Sequence, residues 1–198
     1  MTIYRHFYLK SNALTKPDIN LKDLPSAGRI DIVARCVNSA FWLSNDIRRN
    51  VFFHTILHGP PNPPVYIRFE GGKLRKVSPD ERSIAIFIIK AIEKASDEEK
   101  ESTPGIFVSR KDFKKFVDEN RDKEYYLMDE KGEDIDKINF GEEPLFFLGD
   151  NKGLNDEEKE ILHRYGAIDV SIGKKSYLSS HCITVINWIL DRRGRNKI

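Results

Sequence analysis

A chain of 198 residues with 39% hydrophobic and 32% charged residues has the composition of an ordinary globular protein, long enough for one good core or two small ones. Its net charge of +2 gives no general argument for binding nucleic acid, so such an argument must rest on local clusters. Cys36 and Cys182 form no disulfide framework, the N-terminus lacks a signal-peptide core, and no apolar run approaches the roughly 18 residues of a membrane span. We therefore expect a soluble, cytoplasmic protein.

The first part of the chain is predicted to contain strands and one helix. TIYRHFYLKS has the composition of a strand, and VFFHTIL is a second apolar run that ends at the proline-rich GPPNPP. Between them, apolar residues at helical spacing predict an amphipathic helix from Asp31 to about Leu43. VYIRFEGGKLRKV is interpreted as a β-hairpin with Gly71 and Gly72 at its turn.

From about residue 65 onward, predicted strands alternate with predicted helices. Ser78 is expected to cap a helix that runs through IAIFIIKAIEKA and frays in SDEEKES, and Ser109 to cap a helix on KDFKKFVDEN. GIFVS, EYYLMD, PLFFLGD and AIDVSIG are strands, Asn155 caps a helix on NDEEKEILHRYG, and a last helix follows. This order predicts a single α/β domain over residues 1–198, with a mostly parallel sheet flanked by helices.

Three predicted strands pass into loops, at Leu127–Asp129, at Leu148–Asp150 and at Ile172–Lys174. In an open α/β sheet, ligands bind outside the carboxyl ends of the strands, so these junctions indicate a binding site. Gly149 and Gly173 directly follow apolar runs, where a missing Cβ lets a ligand approach the backbone. On spacing alone, however, glycines that only serve turns are the favoured interpretation.

Ser180, His181 and Cys182 suggest a nucleophilic site, but adjacent residues of a helix point in different directions and do not converge. Capping serines followed by a packed cysteine are therefore favoured. The five histidines form no HExxH motif and the cysteines no CxxC motif, so no metal site is expected.

A second polar cluster surrounds the first predicted helix. Asp31 and Arg35 are four residues apart and share a helix face. The cluster is completed by Arg29, Asn38, Asp46, Arg48 and Arg49. Several arginines beside one another suit an anionic, hydrogen-bonding partner such as RNA. A solvated face with ordinary ion pairs explains the same residues equally well.

Two stretches carry a resemblance to a known family. PLFFLGDNKGLNDEEKEIL and SIGKKSYLSSHCITVINWILDR resemble the C-terminal half of the SPOUT methyltransferases, and more narrowly the archaeal TrmY family of tRNA pseudouridine N1-methyltransferases. The similarity runs along essentially the whole chain. The related family that acts on small-subunit ribosomal RNA carries an Arg-Pro-Asp-Ile motif. Here residues 29–32 read RIDI, which keeps the arginine and the aspartate but not the proline.

The resemblance implies a SPOUT α/β-knot fold, which topology rules alone would not predict because threaded chains are very rare. It implies a homodimer, an RNA-facing N-terminal half over about residues 1–78, and a cofactor-binding knot over about residues 120–198. The implied cofactor is S-adenosylmethionine, held in a bent form by three loops. By position, its binding residues would be Leu127, Gly149, Ile172, Gly173, Ser176, Tyr177, Leu178 and Cys182.

The implied activity is methylation of N1 of a pseudouridine in the TΨC loop of tRNA, with the base turned out into the pocket. Asp31 is expected to contact the base edge or accept the N1 proton, and Arg29 to stabilise charge on the base or hold a phosphate. RNA contacts are assigned to Arg35, Asn38, Asp46, Arg48 and Arg49. Alternatives are the same chemistry on small-subunit ribosomal RNA, a non-catalytic RNA-binding or assembly factor, and, disfavoured by its geometry, a hydrolase using Ser180 and His181.

Overall fold

The computed structural model describes residues 2–195, which form eight strands and five α-helices. The strands are β1 (Arg5–Ser11), β2 (Val51–Leu57), β3 (Val65–Glu70), β4 (Lys100–Thr103), β5 (Ile106–Ser109), β6 (Glu124–Asp134), β7 (Pro144–Gly149) and β8 (Ile168–Ser171). The helices are α1 (Ile30–Phe41), α2 (Glu81–Glu93), α3 (Phe113–Glu119), α4 (Asp156–Arg164) and α5 (Ser179–Arg195). None of the helices in this described part is long and apolar enough to cross a membrane.

All eight strands join one sheet in the order β4-β5-β3-β2-β1-β7-β6-β8. Five neighbouring strands pair in parallel, in the spatial order β2-β1-β7-β6-β8. Beyond β2, the strands β3, β5 and β4 extend the sheet in antiparallel pairing. The predicted α/β fold with a mostly parallel sheet is therefore confirmed. The predicted fraying of SDEEKES is wrong, because its end enters β4. That edge strand pairs only with β5, and an edge strand tolerates charged side chains.

Helices cover both faces of the sheet. On one face, α1, α2 and α5 pack their apolar sides on Phe7 and Phe53. On the other face, α3 and α4 pack on Tyr8 and Ile56. Phe7 and Tyr8 are adjacent in β1 and point to opposite faces, as the two-residue period of a strand requires. Both sides of the central strands are thus buried, which explains their nearly continuous apolar sequences.

Two predicted helix caps are wrong by a few residues. Asp80, not Ser78, caps α2, and its carboxylate accepts a 2.9 Å hydrogen bond from the amide of Ser83. Asp112, not Ser109, caps α3 and accepts from the amide of Lys115 at 2.8 Å. Aspartate and serine are equally good caps, so composition did not distinguish neighbouring candidates. The predicted cap of α4 at Asn155 is confirmed as a full capping box.

The predicted hairpin at Gly71 and Gly72 is also wrong. After β3 the chain turns, but KLRKV forms no strand and continues as a loop to α2. The antiparallel partners of β3 are instead β2 and β5. Alternating composition in a short basic segment was therefore a poor indicator of pairing, because the neighbouring edge of β3 is taken by a strand from farther along the chain.

The last helix returns from the edge of the sheet to its middle. β8 is the edge strand, yet α5 packs against α1. The buried Asn187 of α5 accepts a 3.0 Å hydrogen bond from Arg5 of β1 and donates to the carbonyl oxygens of Ser39 at 3.2 Å and Ala40 at 3.3 Å. The connection between β8 and α5 consequently runs back past the carboxyl ends of β6 and β7.

Candidate active site

The carboxyl ends of β7 and β8 and the middle of β6 meet around a cavity of about 630 Å³, which we call the loop cleft. Its walls are the part of β6 from Met128 to Glu130, the loop after Leu148 and the segment from Ile172 to Ser179. Pairing between β6 and β8 is interrupted between Met128 and Glu133, and the residues of this interruption line the cleft.

Hydrogen bonds hold the second and third walls of the loop cleft in place. Ser179 donates to the carbonyl oxygen of Gly149 at 2.5 Å, which joins the start of α5 to the end of β7. Asp150 accepts from the backbone amide of Asn12 at 2.6 Å and from its side-chain amide at 3.0 Å, and a second carboxylate oxygen accepts from the amide of Lys152 at 2.9 Å. The cleft is therefore held in shape by the protein itself.

Both predicted glycines lie in the wall of the loop cleft, for different physical reasons. Gly173 has a φ of +146°, a conformation that residues with a side chain rarely adopt, and nothing but the Tyr177 ring approaches the position of a Cβ. Gly149 has no such strain. A Cβ there would instead collide with the backbone of Gly153 and Leu154 in its own loop. Gly149 is thus required by the fold of the loop rather than by a ligand's approach.

The structure brings together six of the eight residues expected to bind the cofactor: Gly149, Ile172, Gly173, Ser176, Tyr177 and Cys182 line the loop cleft. Leu127 does not, because its side chain is buried in the core beneath α3 and α4, and its neighbour Met128 lines the cleft in its place. Leu178 does not line the loop cleft either, but lines the second cavity described below.

Cys182 faces the loop cleft but is only 8% exposed. Burial raises the pKa of its thiol to about 11, so the group is a protonated thiol at neutral pH. Its Sγ lies 3.9 Å from the carbonyl oxygen of Tyr177. Ser180 is buried and His181 is exposed, which separates the two residues of the suggested hydrolase. This helix start therefore holds a packed cysteine, beside a serine whose hydroxyl joins α5 to β7.

A second cavity of about 1000 Å³, the arginine cleft, adjoins the loop cleft. Arg29 and Arg35 line it on one side, and Tyr177, Leu178 and His181 on the other. The two clefts share Asp150, Ser176, Tyr177 and Ser179 as wall residues. A ligand in the loop cleft and a ligand in the arginine cleft would therefore meet beside Tyr177, whose side chain is half-exposed between them.

Asp31 organises the arginine cleft from beneath. Its side chain is 4% exposed, and its two carboxylate oxygens accept hydrogen bonds of 3.0 Å each from Arg29 and one of 2.7 Å from Arg35. Burial acts to raise the pKa of Asp31, but the two guanidinium groups outweigh it and hold that pKa below its ordinary value. Arg29 reaches this position with a left-handed backbone, φ 67°, just before α1. Asp31 is thus a buried anion that holds two cations side by side.

The remaining residues predicted to contact RNA lie away from both clefts. Arg48 is engaged in an ion pair with Asp191 of α5 at 2.8 Å, and its side chain is 14% exposed. Asn38 donates to the carbonyl oxygen of Pro79. Asp46 and Arg49 are exposed, lie 3.7 Å apart and line a third cavity beyond the C-terminal end of α1.

The clefts also contain residues to which the sequence assigned no cofactor or RNA contact. Met128, Asp129 and Glu130 line the loop cleft, and Asn151 and His181 the arginine cleft. Met128 and Asp129 belong to a strand-to-loop junction that the sequence had identified, and Glu130 directly follows it. Across residues 2–195, no group of three or more acidic, histidine or cysteine side chains is placed to hold a metal ion.

Comparison with known proteins identifies the family of the chain. Residues 4–195 match the family model described as putative SAM-dependent RNA methyltransferase. The chain belongs to this family. Its members are described as dependent on S-adenosylmethionine, and the family match covers all strands and both clefts.

Relatives named tRNA (pseudouridine(54)-N(1))-methyltransferase match along nearly their whole length. The one from Methanococcus maripaludis strain C6 is 46% identical over 195 residues, which are 95% of this chain and 98% of the relative. The one from Methanocaldococcus jannaschii is 46% identical over 200 residues, 96% of this chain and 97% of the relative. The one from Thermococcus gammatolerans is 43% identical over 196 residues, 94% and 96% respectively.

Among solved structures, the chain is similar to Archaeoglobus fulgidus Nep1 in its complex with S-adenosylhomocysteine. The TM-score is 0.64 at 16% sequence identity, with 97% of this chain and 98% of Nep1 covered. At that identity the similarity concerns the fold alone.

Proposed function

We propose that the protein transfers a methyl group from S-adenosylmethionine to N1 of pseudouridine 54 in the TΨC loop of tRNA. The observation that carries the proposal is the junction of the two clefts, an acidic loop cleft beside a cleft lined by two arginines. Relatives that are 46% identical over nearly their whole length bear the name of this activity, which favours tRNA over ribosomal RNA as the substrate.

The loop cleft suits the cofactor by its charge. Three carboxylates face it, Asp129, Glu130 and Asp150, against one cation, Lys175. S-adenosylmethionine carries a positive sulfonium and a positive amino group, both of which a negative site favours. When bound, it supplies an electrophilic methyl group. We propose that Gly149, Ile172, Gly173, Ser176, Tyr177 and Cys182 surround it there.

The arginine cleft suits the base. Pseudouridine is attached to its sugar through carbon, so its N1 carries a hydrogen that must leave when N1 becomes methylated. As this proton leaves, negative charge develops on the ring carbonyl oxygens, and the guanidinium groups of Arg29 and Arg35 are placed to stabilise it. An ordinary uridine is excluded by chemistry, because its N1 bears the sugar.

For Asp31 we propose a positioning role rather than proton transfer. Its oxygens are occupied by Arg29 and Arg35, and its lowered pKa makes it a weak base. The arginine cleft is open to solvent, so water is available to take the N1 proton. Asp31 would then act by fixing both guanidinium groups in the direction of the base.

Three further parts of the proposal concern architecture. The return of α5 across the ends of β6 and β7 is the path that a knotted chain would take.

α5 also presents an exposed stripe of His181, Thr184, Trp188 and Arg192, and Arg192 lies 4.5 Å from the Trp188 ring. Trp188 is 55% exposed, which favours this stripe as the contact surface of a homodimer. A cytoplasmic location stays a prediction.

The decisive experiment is methyl transfer from labelled cofactor to tRNA transcripts that carry pseudouridine or uridine at position 54, with a ribosomal RNA stem-loop containing pseudouridine as the third substrate. Mass spectrometry of the digested product should locate a new methyl group on pseudouridine of the first transcript alone. Methylation of the uridine transcript, or preference for the ribosomal stem-loop, would contradict the proposal.

A further inference from the structure

A third cavity, of about 890 Å³, lies beyond the C-terminal end of α1 and outside both clefts. We call it the tryptophan groove. Its apolar lining includes Trp42, Ile47 and Val77, and its polar lining includes Arg49, Arg75 and Lys76. Neither the family description nor the names of the relatives assign anything to this surface.

The tryptophan groove has walls that hydrogen bonds hold in place. One wall is a tight turn in which the amide of Leu43 donates to the carbonyl oxygen of Asp46 at 2.8 Å, while Trp42 and Ile47 pair across it. The other wall is the loop after β3. Arg49 joins the two by donating to the carbonyl oxygens of Gly71 and Leu74, each at 3.3 Å. The groove is therefore formed before any ligand arrives.

Its charge is opposite to that of the loop cleft. The cations Arg49, Arg75 and Lys76 line the tryptophan groove, and Asp46 is the single carboxylate among its lining residues. Asp46 lies 3.7 Å from Arg49, so its charge is already partly balanced. Lys76 has a left-handed backbone, φ 57°, and in residues 2–195 the only other non-glycine residue with a positive φ is Arg29 of the arginine cleft. Such strain in a basic surface residue is common at ligand sites.

The exposed side of α1 connects this groove with the arginine cleft. The helix is amphipathic, and the residues that remain partly exposed are Ile32, Arg35, Asn38, Ser39 and Trp42, which recur at three- and four-residue spacing. Ile32 and Arg35 line the arginine cleft, and Trp42 lines the groove. A helix of 12 residues is about 18 Å long, at about 1.5 Å per residue. The two sites therefore lie at opposite ends of one short helix, within reach of a single polynucleotide.

We propose that the tryptophan groove is a second RNA-binding site, which holds a nucleotide of the substrate RNA away from the base that is methylated. The base of that nucleotide packs on Trp42, and Arg75 and Lys76 contact its phosphates. An aromatic ring beside cations is the combination that binds unpaired nucleotides with little regard to sequence. This inference rests on the proposed function only in taking RNA as the substrate.

Fluorescence tests the base contact directly. The chain has two tryptophans, so Trp188→Phe leaves Trp42 as the only one. Titration of this variant with a TΨC stem-loop should quench Trp42 emission, and a stem-loop with uridine in place of pseudouridine should do the same. Anisotropy of end-labelled RNA, recorded in parallel, reports binding independently. RNA that binds by anisotropy without changing the emission of Trp42 would overturn the proposal.

The phosphate contacts are tested with two matched double variants. Arg75→Gln with Lys76→Gln removes two cations from the groove, and Lys114→Gln with Lys115→Gln removes two exposed cations from α3 on the other face of the sheet. The groove variant should weaken RNA binding about tenfold or more, and its plot of log affinity against log salt should be shallower by about 1.4–1.8. The α3 variant should bind as the wild type does.

The RNA affinities of the groove variants decide whether the tryptophan groove binds RNA. Equal RNA affinity of the two double variants would overturn the groove as an RNA site and leave it to another class of partner. Trp42→Leu should also lose about tenfold in RNA affinity, with the salt slope unchanged, since it removes stacking and no charge. If wild-type protein binds RNA through the groove but transfers no methyl group to any pseudouridine transcript, the proposed function fails while this inference stands.

Discussion

Arg29 donates two hydrogen bonds of 3.0 Å, one to each carboxylate oxygen of Asp31, only two residues farther along the chain. This bidentate pair, with Arg35 as a third partner, is possible because Arg29 adopts a left-handed backbone before the helix begins. The two arginines of the cleft are thus oriented by one buried anion.

Asp31→Asn should abolish most methyl transfer and leave the affinity of the loop cleft for the cofactor nearly unchanged. The amide keeps the shape of the side chain but provides one acceptor oxygen, so the arginines lose their anchor. We expect kcat to fall by about 100-fold or more, as for other preorganised charge-stabilising groups. Calorimetry should find the affinity for S-adenosylhomocysteine within about twofold of wild type. A variant with more than half of the wild-type rate would rule out the positioning role.

The pH dependence separates the two roles of Asp31. Because its pKa lies below the ordinary value, the carboxylate stays ionised throughout the neutral range, and the wild-type rate should have no inflection from Asp31 above about pH 5. A rate that rises with an apparent pKa near 6 or 7, and loses that rise in Asp31→Asn, would instead identify Asp31 as the base.

Gly173→Ala should damage cofactor binding more than it damages the fold. The positive φ of Gly173 makes any side chain there cost about 1–3 kcal/mol. Gly166→Ala is the matched control, because Gly166 has a φ of +83° and lies after α4, outside both clefts. Both variants should lower the Tm, but only Gly173→Ala should weaken binding of S-adenosylhomocysteine, by about tenfold. Equal affinities in the two variants would show that the segment does not shape the site.

Arg48→Gln should weaken the fold and leave RNA binding unchanged, contrary to the expectation from sequence. Arg48 and Arg5 both pair with Asp191, and Arg48 is largely buried, so its loss should lower the free energy of unfolding by about 1–2 kcal/mol. Arg49→Gln removes a half-exposed cation, so it should weaken RNA binding and change the free energy of unfolding little. Denaturant unfolding measures the stability of both variants, and RNA anisotropy measures their affinity for RNA. Weaker RNA binding by a fully stable Arg48→Gln protein would restore Arg48 as a phosphate contact.

Mild acid should destabilise the protein through two buried histidines. His6 and His54 lie 3.1 Å apart, and His54 also contacts the Tyr66 hydroxyl at 2.8 Å. Burial lowers the pKa of His6 to about 3 and that of His54 well below its usual range. In the unfolded chain both histidines bind protons near pH 6.5, whereas in the folded protein they stay neutral at that pH. The free energy of unfolding is therefore greatest above pH 6.5 and falls progressively as the pH drops toward 3.

The expected loss is up to about 1.4 kcal/mol per pH unit for each histidine. Urea unfolding at pH 7.5 and pH 5.5 measures it. His6→Gln should reduce the difference between the two pH values, and His181→Gln, which changes an exposed histidine, should keep it. A wild-type stability that is the same at both pH values would contradict the assignment.

The sequence-based predictions succeeded where a local pattern decided the outcome. The α/β alternation, the capping box at Asn155 and the strand end at Gly149 were each visible within a dozen residues. They failed where partners are far apart in the chain. The pairing of Arg48 with Asp191, the core position of Leu127 and the edge pairing of β4 depend on segments that only the fold brings together. The tryptophan groove was missed because its two walls are separate turns.

The return of α5 to the middle of the sheet has a consequence for biosynthesis. A ribosome would have synthesised every strand, from Arg5 to Ser171, before α5 was complete. The sheet can thus begin to form on the nascent chain, while the loop cleft waits for Ser179 and Cys182, and the bond from Arg5 waits for Asn187. Affinity for the methyl donor should therefore be the last property that the growing polypeptide acquires, well after its secondary structure.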